Sequence, residues 1–200
     1  MRLPFASLLL TLAAPLLAGA AHAQTTPDPA SPKPRVLGTI TKDQPAQAED
    51  KSKRPSPPAE VHTTVGSTGL VINYSRPSLK GRAAFGDKTP LAPAGEVWRT
   101  GANEATTFSV TQAVTINGQP LPAGTYALFT IPGPVEWTII FNKVAQQWGA
   151  FKYDAKQDAL RIKVKPTALA APVEQFTISA APSGKVTLQW AKTEASFVVK

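Results

Sequence analysis

The chain of 200 residues contains no cysteine and only two histidines, His22 and His62. The lack of cysteine excludes disulfides, thiolate zinc sites, iron–sulfur clusters, a cysteine nucleophile and a lipid anchor on cysteine. His62 would have to be the base of any Ser-His-Asp triad, because His22 lies in the N-terminal targeting segment. His62 lies beside Val61, where the first strand is predicted to begin. This position favours an exposed strand histidine over a catalytic base. Histidine-rich metal sites are therefore excluded.

Long apolar runs, phosphate loops and basic runs are also missing. The apolar stretch at residues 8–17 is shorter than the roughly 20 residues that a membrane-spanning helix needs. Gly81, Gly86 and Gly95 are spaced like turn residues, so we expect no nucleotide cofactor. The net charge of +8 is scattered, without the dense basic run and interleaved aromatics of a nucleic-acid surface. We expect no membrane span, no nucleic-acid partner and no cofactor.

The N-terminus has the organisation of a secretory signal peptide over residues 1–23. Arg2 is followed by the apolar run, and Ala21-His22-Ala23 is a small-x-small cleavage site. The mature chain would begin at Gln24. This pattern predicts export to the periplasm as a soluble protein.

Residues 24–59 are predicted to be a disordered linker. They contain eight prolines, no aromatic residue and no sustained apolar period. Such a segment buries too little apolar surface to offset its ordering entropy, and its prolines make it a semi-stiff spacer.

Residues 60–200 alternate apolar and polar side chains with the period of β-strands. The clearest run sets Leu160, Ile162 and Val164 against polar neighbours. Turn signals such as Asn117-Gly118 separate the runs, and no window predicts an amphipathic helix. About nine or ten short strands predict one all-β domain, an antiparallel β-sandwich or jelly-roll-like fold. A closed barrel is the alternative.

Two polar clusters stand out from this alternation. The first runs from Trp98 to Thr106 around Gly101, and the second runs from Asn73 to Arg82 across the strand-ending Pro77. Guanidinium groups bind carboxylates and phosphates bidentately, amides orient ligands, and an indole near a turn can stack on a sugar. The candidate ligand-binding residues are Arg76, Lys80, Arg82, Trp98, Arg99, Asn103, Glu104, Asn142 and Trp148.

Three functions are compatible with these clusters. The first is a binding module for an anionic or carbohydrate-like ligand, either a cell-envelope polymer or a small anion. The second is an envelope glycan hydrolase in which Glu104 works with a second carboxylate, Asp87 or Glu96, within roughly 5–10 Å. The third is a structural or interaction protein whose Arg–Glu–Asn network only pins a loop. A calcium site at Asp154 and Asp158 is a lesser alternative, because the EF-hand pattern is absent.

Several ordered sequence words resemble one known family. They are NYSRP at 73–77, VWRTGANEAT at 97–106, LPAGTY at 121–126 and WTIIFN at 137–142, followed by QWG at 147–149. Together they resemble the exported bacterial domain-of-unknown-function family 2911, from about Pro58 to the C-terminus. The resemblance implies a β-rich exported domain. It implies no activity and no catalytic residues.

Overall fold

The computed structural model describes residues 49–86 and 91–200. The predicted signal peptide, the linker up to residue 48 and the candidate carboxylate Asp87 lie outside these ranges. No helix among the described residues is long and apolar enough to cross a membrane.

The described residues form twelve strands and two short 3-10 turns, with no α-helix, so the all-β prediction is confirmed. The 3-10 turns are Lys51–Lys53 and Ala155–Gln157. The strands are β1 (Pro58–Val65), β2 (Thr68–Ser75), β3 (Phe85–Gly86), β4 (Ala92–Pro93), β5 (Thr106–Val110), β6 (Val114–Ile116), β7 (Gln119–Leu121), β8 (Gly124–Ile131), β9 (Trp137–Asn142), β10 (Asp158–Val164), β11 (Thr167–Ala180) and β12 (Lys185–Val198).

The largest element is a six-stranded antiparallel sheet in the order β1-β2-β5-β8-β9-β10. Ile72 lies opposite Phe108, which in turn lies opposite Tyr126, and all three are buried. Because side chains alternate along a strand, the neighbouring residues Asn73 and Thr107 face the other side of the sheet. We call the two sides the inner face, which carries Ile72, and the outer face, which carries Asn73.

The hairpin of β11 and β12 supplies the second layer over the inner face. Its Phe197 ring lies 5.7 Å from the ring of Phe141 and 6.0 Å from that of Phe108. Both layers contribute to one apolar core, whose burial drives folding. The separate apolar runs at 186–190 and 197–199 predicted two strands, whereas β12 is one continuous strand. Ala191 has a φ of 51°, and the resulting irregularity changes the alternation in mid-strand.

The N-terminal part of the described chain overlaps the end of the predicted linker. β1 begins at Pro58, two residues before the predicted boundary at 60, and pairs along its length with β2. Proline is tolerated there because β1 is an edge strand. Upstream, the carbonyl of Pro57 accepts a hydrogen bond from the Arg76 backbone N–H at 2.9 Å. Residues 49–59 therefore make defined contacts with the domain.

A smaller apolar cluster lies on the outer face. Ala127, Phe129 and Ile140 are fully buried there, because the loop between β9 and β10 folds over them with Ala150 and Tyr153. This loop also carries Trp148. The covering loop therefore brings an indole to the outer face of the sheet.

Candidate functional site

Trp98 belongs to the core. It is 3% exposed and stacks on Trp190, with ring centroids 5.6 Å apart and planes at 11°. Its indole Nε1 donates a hydrogen bond to the Gly101 carbonyl at 3.1 Å. The Trp98 side chain therefore packs in the core and stabilises its own loop, and it is not exposed to a ligand.

The middle of the 98–106 segment is a tightly hydrogen-bonded turn. Thr100 has a φ of 56°, and its carbonyl accepts a hydrogen bond from Thr106 Oγ1 at 2.7 Å. A Cβ on Gly101 would lie 2.8 Å from the Ser75 carbonyl oxygen, so only glycine fits against β2. The chemical variety that made this segment conspicuous in the sequence serves mainly to build the turn.

Arg99 follows Trp98 and is half-buried. Its Nε is buried without a hydrogen-bond partner among the described residues, and burial lowers the pKa of Arg99. It does not line any of the cavities described below.

The basic residues at 76–82 are directed towards the chain's own backbone. Arg76 donates from Nε to the Phe176 carbonyl at 3.1 Å and from Nη2 to Thr177 Oγ1 at 2.8 Å. Arg82 donates to the carbonyls of Ser78 and Leu79. Lys80 is exposed, and its backbone N–H donates to Glu174 Oε1 at 2.8 Å. Hydrogen bonds to β11 and to the local loop thus explain the pattern, and the structure does not bring these residues to Glu104.

Asn142 is fully buried at the end of β9 and organises the covering loop. Its Nδ2 donates to Asp158 Oδ1 at 2.8 Å and to the Asp154 carbonyl at 3.0 Å. Its Oδ1 accepts from the Val144 N–H at 3.0 Å. Asp158 Oδ2 accepts from Tyr153 and Arg161, so the proposed calcium ligands are engaged by protein donors. Among the described residues, no group of three His, Cys, Asp or Glu could hold a metal ion.

Asn103 and Glu104 lie where the 98–106 segment reaches the outer face. Asn103 has a φ of 59°, and its Nδ2 donates to the Ser56 carbonyl at 3.2 Å and to Ser75 Oγ at 3.3 Å. Its carbonyl accepts from the Gly149 N–H at 3.0 Å, and the Ala105 N–H donates to the Gln147 carbonyl at 2.9 Å. These two backbone hydrogen bonds hold Glu104 and Trp148 opposite each other.

Glu104 and Trp148 meet two cations from the N-terminal segment. Lys51 Nζ donates to Glu104 Oε1 at 2.9 Å, and Arg54 Nη1 donates to Oε2 at 2.7 Å. The guanidinium carbon of Arg54 lies 5.6 Å from the centroid of the Trp148 ring, in cation–π geometry. Burial alone would raise the pKa of Glu104, but hydrogen bonds from Lys51, from its own backbone N–H and from Arg54 hold that pKa at about 2.

Lys51 and Glu104 line a groove of about 570 Å³ on the outer face. A smaller pocket of about 280 Å³ shares Glu104, Thr107 and Gln146 with the groove and ends at Trp148. The charged side chains of the groove wall are Lys51, Glu60 and Glu104, and apolar atoms supply much of the remaining surface. The lining residues used below are Lys51, Glu60, Asn73, Glu104, Thr107 and Gln146.

The sequence analysis identified Glu104 and Trp148 and missed the other lining residues. Asn73 and Thr107 had a detectable signal, because both occupy the polar phase of strands β2 and β5. Lys51 and Arg54 had none, because they lie in a proline-rich segment without an apolar period. Their role depends on contacts across more than fifty residues for Lys51 and fifty for Arg54.

A second cavity of about 610 Å³ has a different character. Its wall includes Phe85, Trp137 and several prolines, with Lys192 at the residue after the strained Ala191. It shares no lining residue with the outer-face groove, and none of the predicted site residues lines it.

A sequence model of one protein family, described as "Protein of unknown function (DUF2911)", matches residues 56–199. The chain matches no curated protein and no solved structure.

Proposed function

Because this chain belongs to the DUF2911 family, whose function is unknown, we propose its role from its own geometry: an exported module that binds a carbohydrate-like ligand of the cell envelope. The observation that carries the proposal is the exposed Trp148 in the smaller pocket that adjoins the groove at Glu104. Its side chain is 57% exposed, although an indole is usually buried. Export rests on the signal-like pattern of residues 1–23.

The groove wall offers hydrogen-bonding groups suited to a hydroxyl-rich ligand. Asn73 and Gln146 carry amides that both donate and accept, and Thr107 carries a hydroxyl. Trp148 supplies the flat apolar surface on which a sugar ring can stack, since an indole combines a large apolar face with a polar edge. Convergent polar groups beside an aromatic wall are typical of small-ligand sites.

Electrostatics favour a carbohydrate over the anionic ligand that the sequence also allowed. The basic residues Arg76, Lys80 and Arg82 do not line the groove, whereas Glu60 and Glu104 do. Lys51, the cation among the described lining residues, is already paired with Glu104, and Glu60 adds negative charge, so the wall disfavours an anion. The carbohydrate half of the original hypothesis is therefore the one that we retain.

The same electrostatics disfavour the hydrolase. A glycosidase needs one carboxyl that is protonated near neutral pH to act as a general acid. Glu104, with a pKa held at about 2, stays ionised there. Glu60 is the other carboxyl in the wall, and it pairs with His62 on the same strand. Glu104 therefore does not suit the role of general acid, and binding is the better-supported function.

Titration calorimetry of the purified protein tests this function. The probes are tetrasaccharides of N-acetylglucosamine, glucose and galactose. We expect at least one to bind, and Trp148→Ala to weaken it about tenfold, which corresponds to about 1.4 kcal/mol. Phe151→Ala is the matched control, because Phe151 is 86% exposed and does not line the groove. The proposal fails if no probe binds, or if the two variants behave alike.

A further inference from the structure

The carboxylate of Glu104 is occupied by the protein's own cations. One oxygen accepts from Lys51 Nζ at 2.9 Å and the other from Arg54 at 2.7 Å. Both donors belong to residues 49–54, which we call the strap. Every side chain that carries positive charge to this carboxylate therefore comes from the N-terminal side of β1.

The receiving half of this contact is built without the strap. Glu104 and Trp148 are held side by side by the hydrogen bonds between Asn103 and Gly149 and between Ala105 and Gln147. A carboxylate beside an indole face is an arrangement that recognises ammonium and guanidinium groups. The pair would keep this geometry if the strap moved away, so it is pre-organised for a cation.

The charge of the groove depends on the strap. Among the described residues that line it, Lys51 is the one with a cationic side chain, against the carboxylates of Glu60 and Glu104. Removal of Lys51 leaves amides, hydroxyls and two negative charges. A ligand that carries an ammonium group could replace the positive charge of Lys51 in the groove, whereas a neutral ligand could not.

The strap is attached in a way that permits exchange. Its 3-10 turn Lys51–Lys53 buries no residue, and the Lys51 side chain is 55% exposed. Exposed ion pairs contribute little to stability, so the Lys51 contact can exchange readily, whereas Arg54, only 12% exposed, holds the strap more firmly. The chain is anchored just downstream instead, where Ser56 and Pro57 accept hydrogen bonds from Asn103 and Arg76. The segment can therefore swing about Ser56 without breaking β1.

We propose that the strap is an internal stand-in for the ligand, and that the groove takes an amino sugar whose ammonium group replaces Lys51 at Glu104. This inference rests on the proposed function, because it names the charge of the ligand for the same groove. Arg54 leaves Trp148 in the same exchange and uncovers the indole for the sugar ring. The strap thereby acts as a tethered competitor that lowers the apparent affinity.

A matched pair of probes tests the inference: the tetrasaccharide of glucosamine, with free amines, and that of N-acetylglucosamine, with the amines blocked. At mildly acidic pH the full protein should bind the first about fivefold more tightly or better. Glu104→Gln should remove this preference. The double variant Lys51→Ala/Arg54→Ala should raise affinity for the glucosamine probe about fivefold, while Lys53→Ala, on the same turn but paired with Asp50, should not.

The outcomes separate this inference from the proposed function. If both probes bind equally and the double variant changes nothing, the amino-sugar inference fails while sugar binding stands. If no tetrasaccharide of either experiment binds, both the amino-sugar ligand and the carbohydrate function are overturned, and binding of a blocked trilysine peptide would then identify a cationic peptide as the ligand of Glu104. Near-UV circular dichroism of each variant verifies that the core tryptophans remain packed, so that a loss of binding reports on the site.

Discussion

Arg54 and Glu104 are joined by a 2.7 Å hydrogen bond across 50 residues of sequence. The same guanidinium lies over Trp148 and donates to Glu49, and its side chain is only 12% exposed. Glu49 first, and then Glu104, raise the pKa of Arg54. One side chain thus connects the predicted linker, the conspicuous 98–106 segment and the loop that carries Trp148.

Acid should open this contact well below the ordinary pKa of a glutamate. Glu104 has a pKa of about 2 in the folded protein against an ordinary value of 4.5. A lowered pKa means that the contact persists above 4.5 and is lost as the pH falls from 4.5 through 2. Trp148 emission, isolated by subtraction of a Trp148→Phe variant, should change in that window. Glu104→Gln should abolish the transition, and a midpoint near 4.5 would contradict the hydrogen-bonded geometry.

Gly101→Ala should destabilise the domain by about 2–4 kcal/mol, because the new methyl group meets the Ser75 carbonyl at 2.8 Å and the turn cannot relax without moving β2. Urea unfolding measures the change. Gly118→Ala is the control, since Gly118 also has a positive φ but no atom within 4 Å of an added Cβ. Equal losses in the two variants would show that backbone conformation alone, and no steric contact, requires glycine at 101.

Asn142→Ala should lower the free energy of unfolding by about 2–3 kcal/mol, because it leaves the buried Asp158 Oδ1 and the Val144 N–H without the hydrogen bonds that Asn142 makes to them. The covering loop should also become sensitive to protease, since Asn142 connects both of its ends. Urea unfolding and limited proteolysis measure the two effects. The exposed Lys143→Ala gives the reference, and a variant as stable and as resistant as that reference would disprove the structural role of Asn142.

The phenol of Tyr153 should lose its proton at a higher pH than an ordinary tyrosine. Burial raises its pKa to about 12, from an ordinary 10.0, and the hydrogen bond to Asp158 adds to the effect. A raised pKa means that this contribution to stability is complete below pH 10 and is lost as the pH rises towards 12. Ultraviolet titration compared with Tyr153→Phe identifies the group. Asp158→Asn should bring the pKa of Tyr153 down towards 10. An unchanged titration of Tyr153 would show that Asp158 does not contribute to its raised pKa.

The strands of the core could be read from the sequence because their apolar alternation is local. Leu160, Ile162 and Val164 predicted β10, and the Asn117-Gly118 turn between β6 and β7 has positive φ at both residues, as that dipeptide favours. The single strand β12 escaped prediction, because Ala191 changes the phase of the pattern. A phase change of this kind depends on the partner strand and has no signature in composition.

The site was harder to predict because polar side chains serve turns and ligands equally well. Trp98, Thr100 and Gly101 drew attention by their chemistry and proved to build a turn. The charges of Arg76 and Arg82, which suggested an anion site, bind backbone carbonyls. No local pattern distinguishes these uses, since the acceptor lies on another strand.

The sequence by itself determined the all-β architecture, the position of strands such as β10 and the exclusion of thiol and histidine-rich metal chemistry, because periodicity and residue inventory are properties of the chain alone. Tertiary structure decided which polar residues meet. It directed the basic cluster at 76–82 towards β11, and it placed Lys51 and Arg54 against Glu104 and Trp148. Convergence of that kind depends on how distant strands and loops pack.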